Sequence, residues 1–161
     1  MNQISRWPVP EITNLPEDLR ARILDVQAKA GFVPNVFLAF AHRPDEARAF
    51  FAWHDALLVK DTGTLTKAER EMVIGATYYL KADINDRQRA MLAFALKVCN
   101  HSGNIVEADF EALRLHGFTD EDIWDIGAIT ALFGLSNRMA NLLSLRPNDE
   151  FYLMGRVPKK A

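Results

Sequence analysis

The chain has 161 residues, of which 49% are apolar and 25% charged, with a formal charge of −2; that is the profile of an ordinary globular protein long enough for one hydrophobic core. So small a net charge gives no electrostatic reason to expect nucleic acid or an anionic membrane as partner. The single cysteine, Cys99, excludes an internal disulfide, a multi-cysteine metal site and a dithiol redox centre within one chain. No apolar run reaches the length of a membrane span, and the first residues lack the order of a signal peptide, so the expected compartment is the cytoplasm.

Residues 1–15 carry Pro8 and Pro10 with little periodicity and read as an extended N-terminal arm. A helical domain is expected over 16–145, and an irregular tail over 146–161. Pro16 suits the first turn of a helix with Leu19, Ile23, Val26 and Ala30 on its apolar positions, closed by Gly31. After Pro34, Asn35 can cap a short apolar helix ending near Ala41. Pro44 opens another, to Lys60, whose face is Ala47, Phe50, Phe51, His54, Leu57 and Leu58. Asp61 to Leu65 is a turn. Thr66 and Glu69 form a capping box, so a further helix starts there and carries Met72, Val73, Ala76 and Tyr79 inward. Asn85 or Asp86 caps the next helix, with Met91, Phe94, Ala95 and Val98 buried, and His101 to Asn104 break it. Val106 to His116 is a shorter helix with Phe110 and Leu113 inward, closed by Gly117.

The stretch Phe118 to Leu145 predicts a long helix at the centre of the fold. Thr119 and Asp122 have capping-box spacing, and Phe118 and Ile123 that of a hydrophobic staple. Ile126, Ile129, Leu132 and Phe133 fill one side, while Gly127, Ala131 and Gly134 leave another nearly flat, a surface on which a second helix can approach closely. No segment has strand periodicity. The fold class that follows is all-α.

Four sets of residues, spread in order over most of the chain, then resemble one family: G-F-V-P-N-V-F with A-H-R-P at Gly31 to Pro44, L-T-K-A-E-R-E-M at Leu65 to Met72, R-Q-R-A-M-L-A-F-A-L-K at Arg87 to Lys97, and G-F-T-D-E-D-I with F-G-L-S-N-R-M-A-N at Gly117 to Asn141. The chain resembles the alkyl hydroperoxidase D-like, carboxymuconolactone decarboxylase-like proteins, in the peroxidase-related branch. The resemblance implies a single domain of packed helical hairpins that assembles as a homo-oligomer, a dimer, trimer or hexamer. It also implies an antioxidant oxidoreductase, a peroxidase that reduces hydroperoxides with a thiol reductant. In active members a C-x-x-C pair on a helix, a histidine one turn later and an upstream glutamate carry that chemistry, with a thiolate as nucleophile and a resolving cysteine at i+3.

This sequence departs from the pattern at the chemistry. After Glu71 to Thr77 the family continues into its cysteine-bearing helix, whereas here Thr77 runs almost directly into Tyr79-Leu80-Lys81-Ala82-Asp83-Ile84. About three to four helical turns or more are missing, beyond a boundary error, and with them both cysteines and the partner histidine. Loss of that helix is expected to uncover apolar faces of the helices at Thr66 and Phe118.

The residues left as catalytic candidates are Glu71, which matches the upstream glutamate of the resemblance, and Cys99 with His101, a thiol near an imidazole at a helix end. Against them stand plainer readings: a surface acid beside Arg70, and an inert thiol at the negative end of a helix dipole. His54 reads as a hydrogen-bonded core residue and His116 as a helix-end dipole partner, with no second ligand at metal spacing. No metal and no cofactor are therefore expected. Asn137 and Arg138 are expected buried and paired, with partners on another helix or subunit because Asp125 lies too far along the helix for a direct pair, in a structural or interface role. Trp53 and Trp124 read as core, with a ligand pocket as the weaker option. Three activities compete: impaired hydroperoxide reduction, a non-catalytic structural or ligand-binding helical oligomer, and a carboxymuconolactone decarboxylase-type lyase, ranked last because no base can be placed for it.

Overall fold

Helix starts fall where the sequence places a side-chain acceptor at the right offset, as the computed structural model, which describes residues 4–153, shows. α1 (Glu17–Ala30), α2 (Asn35–Phe40), α3 (Pro44–Leu58), α4 (Lys67–Ile74), α5 (Ala76–Tyr79), α6 (Asp86–His101), α7 (Glu107–Leu115), α8 (Asp120–Leu142) and α9 (Asp149–Leu153) follow in order, with short 3-10 turns at Ile12–Asn14 and Ser102–Asn104. No strand is present among the described residues, and the fold is all-α. The box before α4 is complete: Thr66 Oγ1 accepts from the Glu69 amide at 3.1 Å, and Glu69 Oε2 accepts from the Thr66 amide at 2.9 Å. Thr119 and Asp122 do the same for α8, at 3.2 and 2.8 Å, and Asn85, rather than Asp86, pairs with Gln88 before α6. Each box satisfies amides that a helix start would otherwise leave open. At the other end of α1, Gly31 takes φ 83° and returns its amide to Gln27 O, a conformation that favours glycine.

Two compact units are distinguished within this domain. One comprises residues up to Phe51 and from Arg138 onward; the other is Ala52–Asn137. The first has a core of Leu15, Ile23 and Ala41 with Val33, Phe37 and Leu38 against it, and edge-on rings at Phe37–Phe51 and Phe40–Phe50 with centroids 4.9 and 5.0 Å apart. The N-terminal arm lies along its own chain: the Arg6 amide donates to Leu143 O at 2.7 Å and the Arg146 amide to Ile4 O at 2.8 Å. Asn35 does not cap α2. Its amide is met instead by Asn148 Oδ1 at 2.6 Å, while Asn148 Nδ2 donates to Val33 O at 2.8 Å. Part of the stretch expected to be irregular is thus ordered, with α9 following Asn148. Pro158 and the basic residues at the end of that tail, like residues 1–3 of the arm, lie outside the described residues.

In the second unit α6 packs on α4, α5 and α7, and Met91, Leu92, Phe94 and Ala95 are its buried side. α8 contributes Ile126, Ile129 and Leu132, each without solvent exposure. Full burial of one such side chain contributes about 1.5–3 kcal/mol. Met72, Val73 and Ala76 are buried as expected, so the apolar face after Thr66 is covered. The expectation of an uncovered face holds only at the helix after Phe118. Ala30 of α1 is exposed.

Candidate functional site

The three predicted catalytic residues do not form a cluster. Glu71 is exposed on α4, and Cys99 and His101 are exposed in the last turn of α6. None of the three makes a side-chain hydrogen bond or ion pair among the described residues. The α6 end therefore offers Cys99 neither the imidazole contact nor the positive dipole that activates a thiol. His54 is half-buried with Nδ1 3.1 Å from Asp55 Oδ1, and His116 is exposed at the end of α7. Among the described residues no group of three His, Cys, Asp or Glu can hold a metal ion, and no helix is long and apolar enough to cross a membrane.

What the structure does bring together is charge. Asp125, 1% exposed, is shared by two cations: Arg70 Nη1 at 2.8 Å and Lys60 Nζ at 2.6 Å. Arg70, 2% exposed, also donates to Leu57 O at 2.9 Å and Thr62 O at 2.8 Å, so its guanidinium holds both flanks of the loop between α3 and α4. Asp122 adds the loop's other anchor. Its Oδ1 accepts from the Thr64 amide at 2.8 Å and its Oδ2 from Thr64 Oγ1 at 2.7 Å, on top of the cap it gives α8. Burial pushes the Asp122 carboxyl up, but the hydrogen bonds from Thr64 and Thr119 outweigh it and bring it down to about 2. Gly63 turns the loop at φ 87°, beside Arg70 Nη2 and Asp122 Oδ1, a backbone conformation that favours glycine. Glu69 extends the network to Arg87, whose guanidinium also stacks on the Phe118 ring 3.8 Å from its centroid. Buried charges persist only when paired in this way.

The charge cluster of Asp125 with Arg70 and Lys60 is not among the expectations drawn from the sequence. The usable signal was Asp125 itself, a carboxylate four residues before Ile129 and therefore on the buried face of α8. Two expectations are corrected. Asn137 and Arg138 are exposed, because the buried face of α8 is set by Ile126, Ile129 and Leu132. Trp53 and Trp124 are 44% and 73% exposed, because both border an open groove.

Those tryptophans border an open groove of ≈ 570 Å³ in the second unit. Phe94 and Val98 reach it from α6 and Phe110 from α7, with the Phe94 and Phe110 rings 5.9 Å apart at their centroids. α8 supplies Trp124, Gly127, Ala128 and Ala131, the small-residue face noted in the sequence. At one end stand Glu107, Arg114 and Asp120, with Arg114 donating from Nη1 to Glu107 at 2.6 Å and from Nε to Asp120 at 2.8 Å. The arrangement can hold a small apolar molecule against aromatic rings beside a polar end.

The helical architecture places the chain among the proteins built on the alkylhydroperoxidase core. A solved structure of that core, an uncharacterized peroxidase-related protein from Ralstonia eutropha JMP134, is 60% identical, with a TM-score of 0.91 over 99% of this chain and 100% of that one. A second uncharacterized peroxidase-related protein, from Silicibacter sp. TM1040, is 32% identical, with a TM-score of 0.82 over 94% of this chain and 95% of that one. The debrominase Bmp8, solved in complex with 2,3,4-tribromopyrrole, shares the fold at 20% identity and a TM-score of 0.71, over 92% of this chain and 94% of that one. No family model and no curated protein matches the sequence. The chain belongs to the alkyl hydroperoxidase D-like family, in its peroxidase-related branch.

Proposed function

We propose that this chain keeps the scaffold of a thiol-dependent hydroperoxide reductase but has lost dithiol turnover. The observation that carries this reading is its single thiol, exposed Cys99. In a dithiol peroxidase one thiolate attacks the hydroperoxide, releasing the alcohol and leaving a sulfenic acid. A second cysteine of the same chain then displaces water to form the disulfide. Here the one thiol left for the first step, Cys99, is joined by no hydrogen bond to His101, the base expected beside it, or to Glu71, the family's upstream acid, and it stands at the negative end of the α6 dipole. The second step has no residue in this chain. The protein acts in this reading as a cytoplasmic homo-oligomer, a dimer, trimer or hexamer.

Consumption of hydrogen peroxide under excess glutathione tests it. The expected result is no sustained turnover above that of Cys99→Ser. Continuous consumption abolished by Cys99→Ser would instead make Cys99 a working peroxidatic residue and overturn the impairment. A second reading, a non-catalytic ligand-binding oligomer, is favoured by the groove between Trp53 and Trp124.

A further inference from the structure

We propose that the groove beside α8 binds a flat aromatic molecule carrying a positively charged amine, with the ring between the exposed tryptophans and the ammonium at the end formed by Glu107 and Asp120. The inference builds on the ligand-binding reading and names the class of ligand. The groove's ≈ 570 Å³ lies within the about 300–1,000 Å³ typical of small-molecule sites. Its length is bordered by Trp53, Trp124, Phe94 and Phe110, rings that favour a flat aromatic partner. The groove is open at Gly127, where a built Cβ meets no heavy atom within 4 Å.

The polar end selects the charge. Two carboxylates stand there against one guanidinium, and Arg114 engages one oxygen of each, Glu107 Oε1 and Asp120 Oδ1. Their second oxygens make no hydrogen bond among the described residues and remain as acceptors. The same end holds the starts of α7 and α8, where exposed amides would attract an anion. Carboxylates already meet amides there: Val106 N–H donates to Asp109 Oδ2 and Thr119 N–H to Asp122 Oδ2, both at 2.8 Å. The end thus presents carboxylate oxygens, and an ammonium fits them. An amine over tryptophan gains further from the ring face.

Calorimetric titration of the full chain with three probes sharing one ring system tests this: 1-naphthylmethylamine, 1-naphthalenemethanol and 1-naphthoate. The amine should bind saturably, about threefold to fivefold tighter than the alcohol, the gain expected of one exposed charge contact, and tighter than the acid, with the preference shrinking as salt is raised. Glu107→Gln combined with Asp120→Asn should remove the preference and retain binding of the alcohol. Gly127→Leu, which fills the groove from a position with room for a side chain, should abolish binding of all three without lowering the unfolding temperature, and Trp124→Ala should weaken it. Cys99→Ser should bind as the unmodified chain does. Equal or tighter binding of the acid overturns the proposed ligand class while leaving a ligand-binding groove. Binding unaffected by Gly127→Leu, or no saturable binding of any probe, overturns the site. A change in oligomer mass on Gly127→Leu, read by light scattering, assigns the groove to a contact between copies and overturns it as well.

Discussion

Opposite faces of α8 sort their residues in opposite ways. On one, Asp122 and Asp125 stand among Ile126 and Ile129 with at most 1% exposure. On the other, about half a turn away at roughly 100° per residue, Trp124 is 73% exposed and Gly127, Ala128 and Ala131 border open space. Charge is inside and the largest apolar side chain outside. The difference lies in partners: each buried carboxylate has its donors, whereas the tryptophan borders an open groove. Hydrophobicity alone therefore does not say which face of this helix is interior, and exposed apolar surface of this kind marks a place of interaction.

The largest expected break of the contrast is Asp125→Ala. It leaves Arg70 and Lys60 facing each other in a buried site, and urea denaturation should show a loss of about 3–5 kcal/mol, as for other buried pairs cut on one side. Replacing the pair, Arg70→Met with Asp125→Leu, should recover much of that loss; a double variant as unstable as the single one would mean that the charges themselves are needed. A smaller effect is expected at Asp122→Asn, about 1–2 kcal/mol at neutral pH from weakened hydrogen bonds to a charged acceptor. Its pH dependence is more telling. The carboxyl is held at about 2 against an ordinary 3.8, so its contribution is present above the higher value and fades as pH falls toward the lower. Stability measured across that interval should fall less steeply in Asp122→Asn, and an unchanged acid limb would show that Thr64 and Thr119 do not hold the carboxylate in solution. The smallest effect tests the open face. Gly127→Ala should stabilise by about 0.5–1 kcal/mol through helix propensity alone, and destabilisation would mean that something packs against that glycine.

The features legible in the sequence are those whose partners lie within one turn. Thr66 with Glu69, Thr119 with Asp122 and the Gly31 stop are fixed by spacings of three or four residues, so their helices begin and end close to expectation. The cap on α2 was misassigned to Asn35 because its true acceptor, Asn148, is 113 residues away. Separation in sequence, though shorter, also hides the donors of Asp125, which come from positions 55 and 65 residues earlier. Trp53 and Trp124 were placed in the core because periodicity shows which residues share a face, not whether another element lies on it. The resemblance pointed to the right family, yet the chemistry-bearing residues it left, Glu71, Cys99 and His101, are brought into no shared hydrogen bond.

The closure of Asn148 onto α2 also bears on the order in which the chain can be assembled. Residues 52–137 form one unit from a continuous segment, whereas the other unit joins sequence from both sides of it, with hydrogen bonds linking positions 111 (Asn35 to Arg146) to 142 (Arg146 to Ile4) residues apart. Such contacts carry the full entropy of closing a long loop and form late. During synthesis the Asn35 amide and Val33 carbonyl leave the ribosome more than a hundred residues before Asn148, which pairs with both, whereas residues 52–137 emerge as one continuous stretch. Of these two groups of residues, the one made earlier is thus the one that stays unpaired longer.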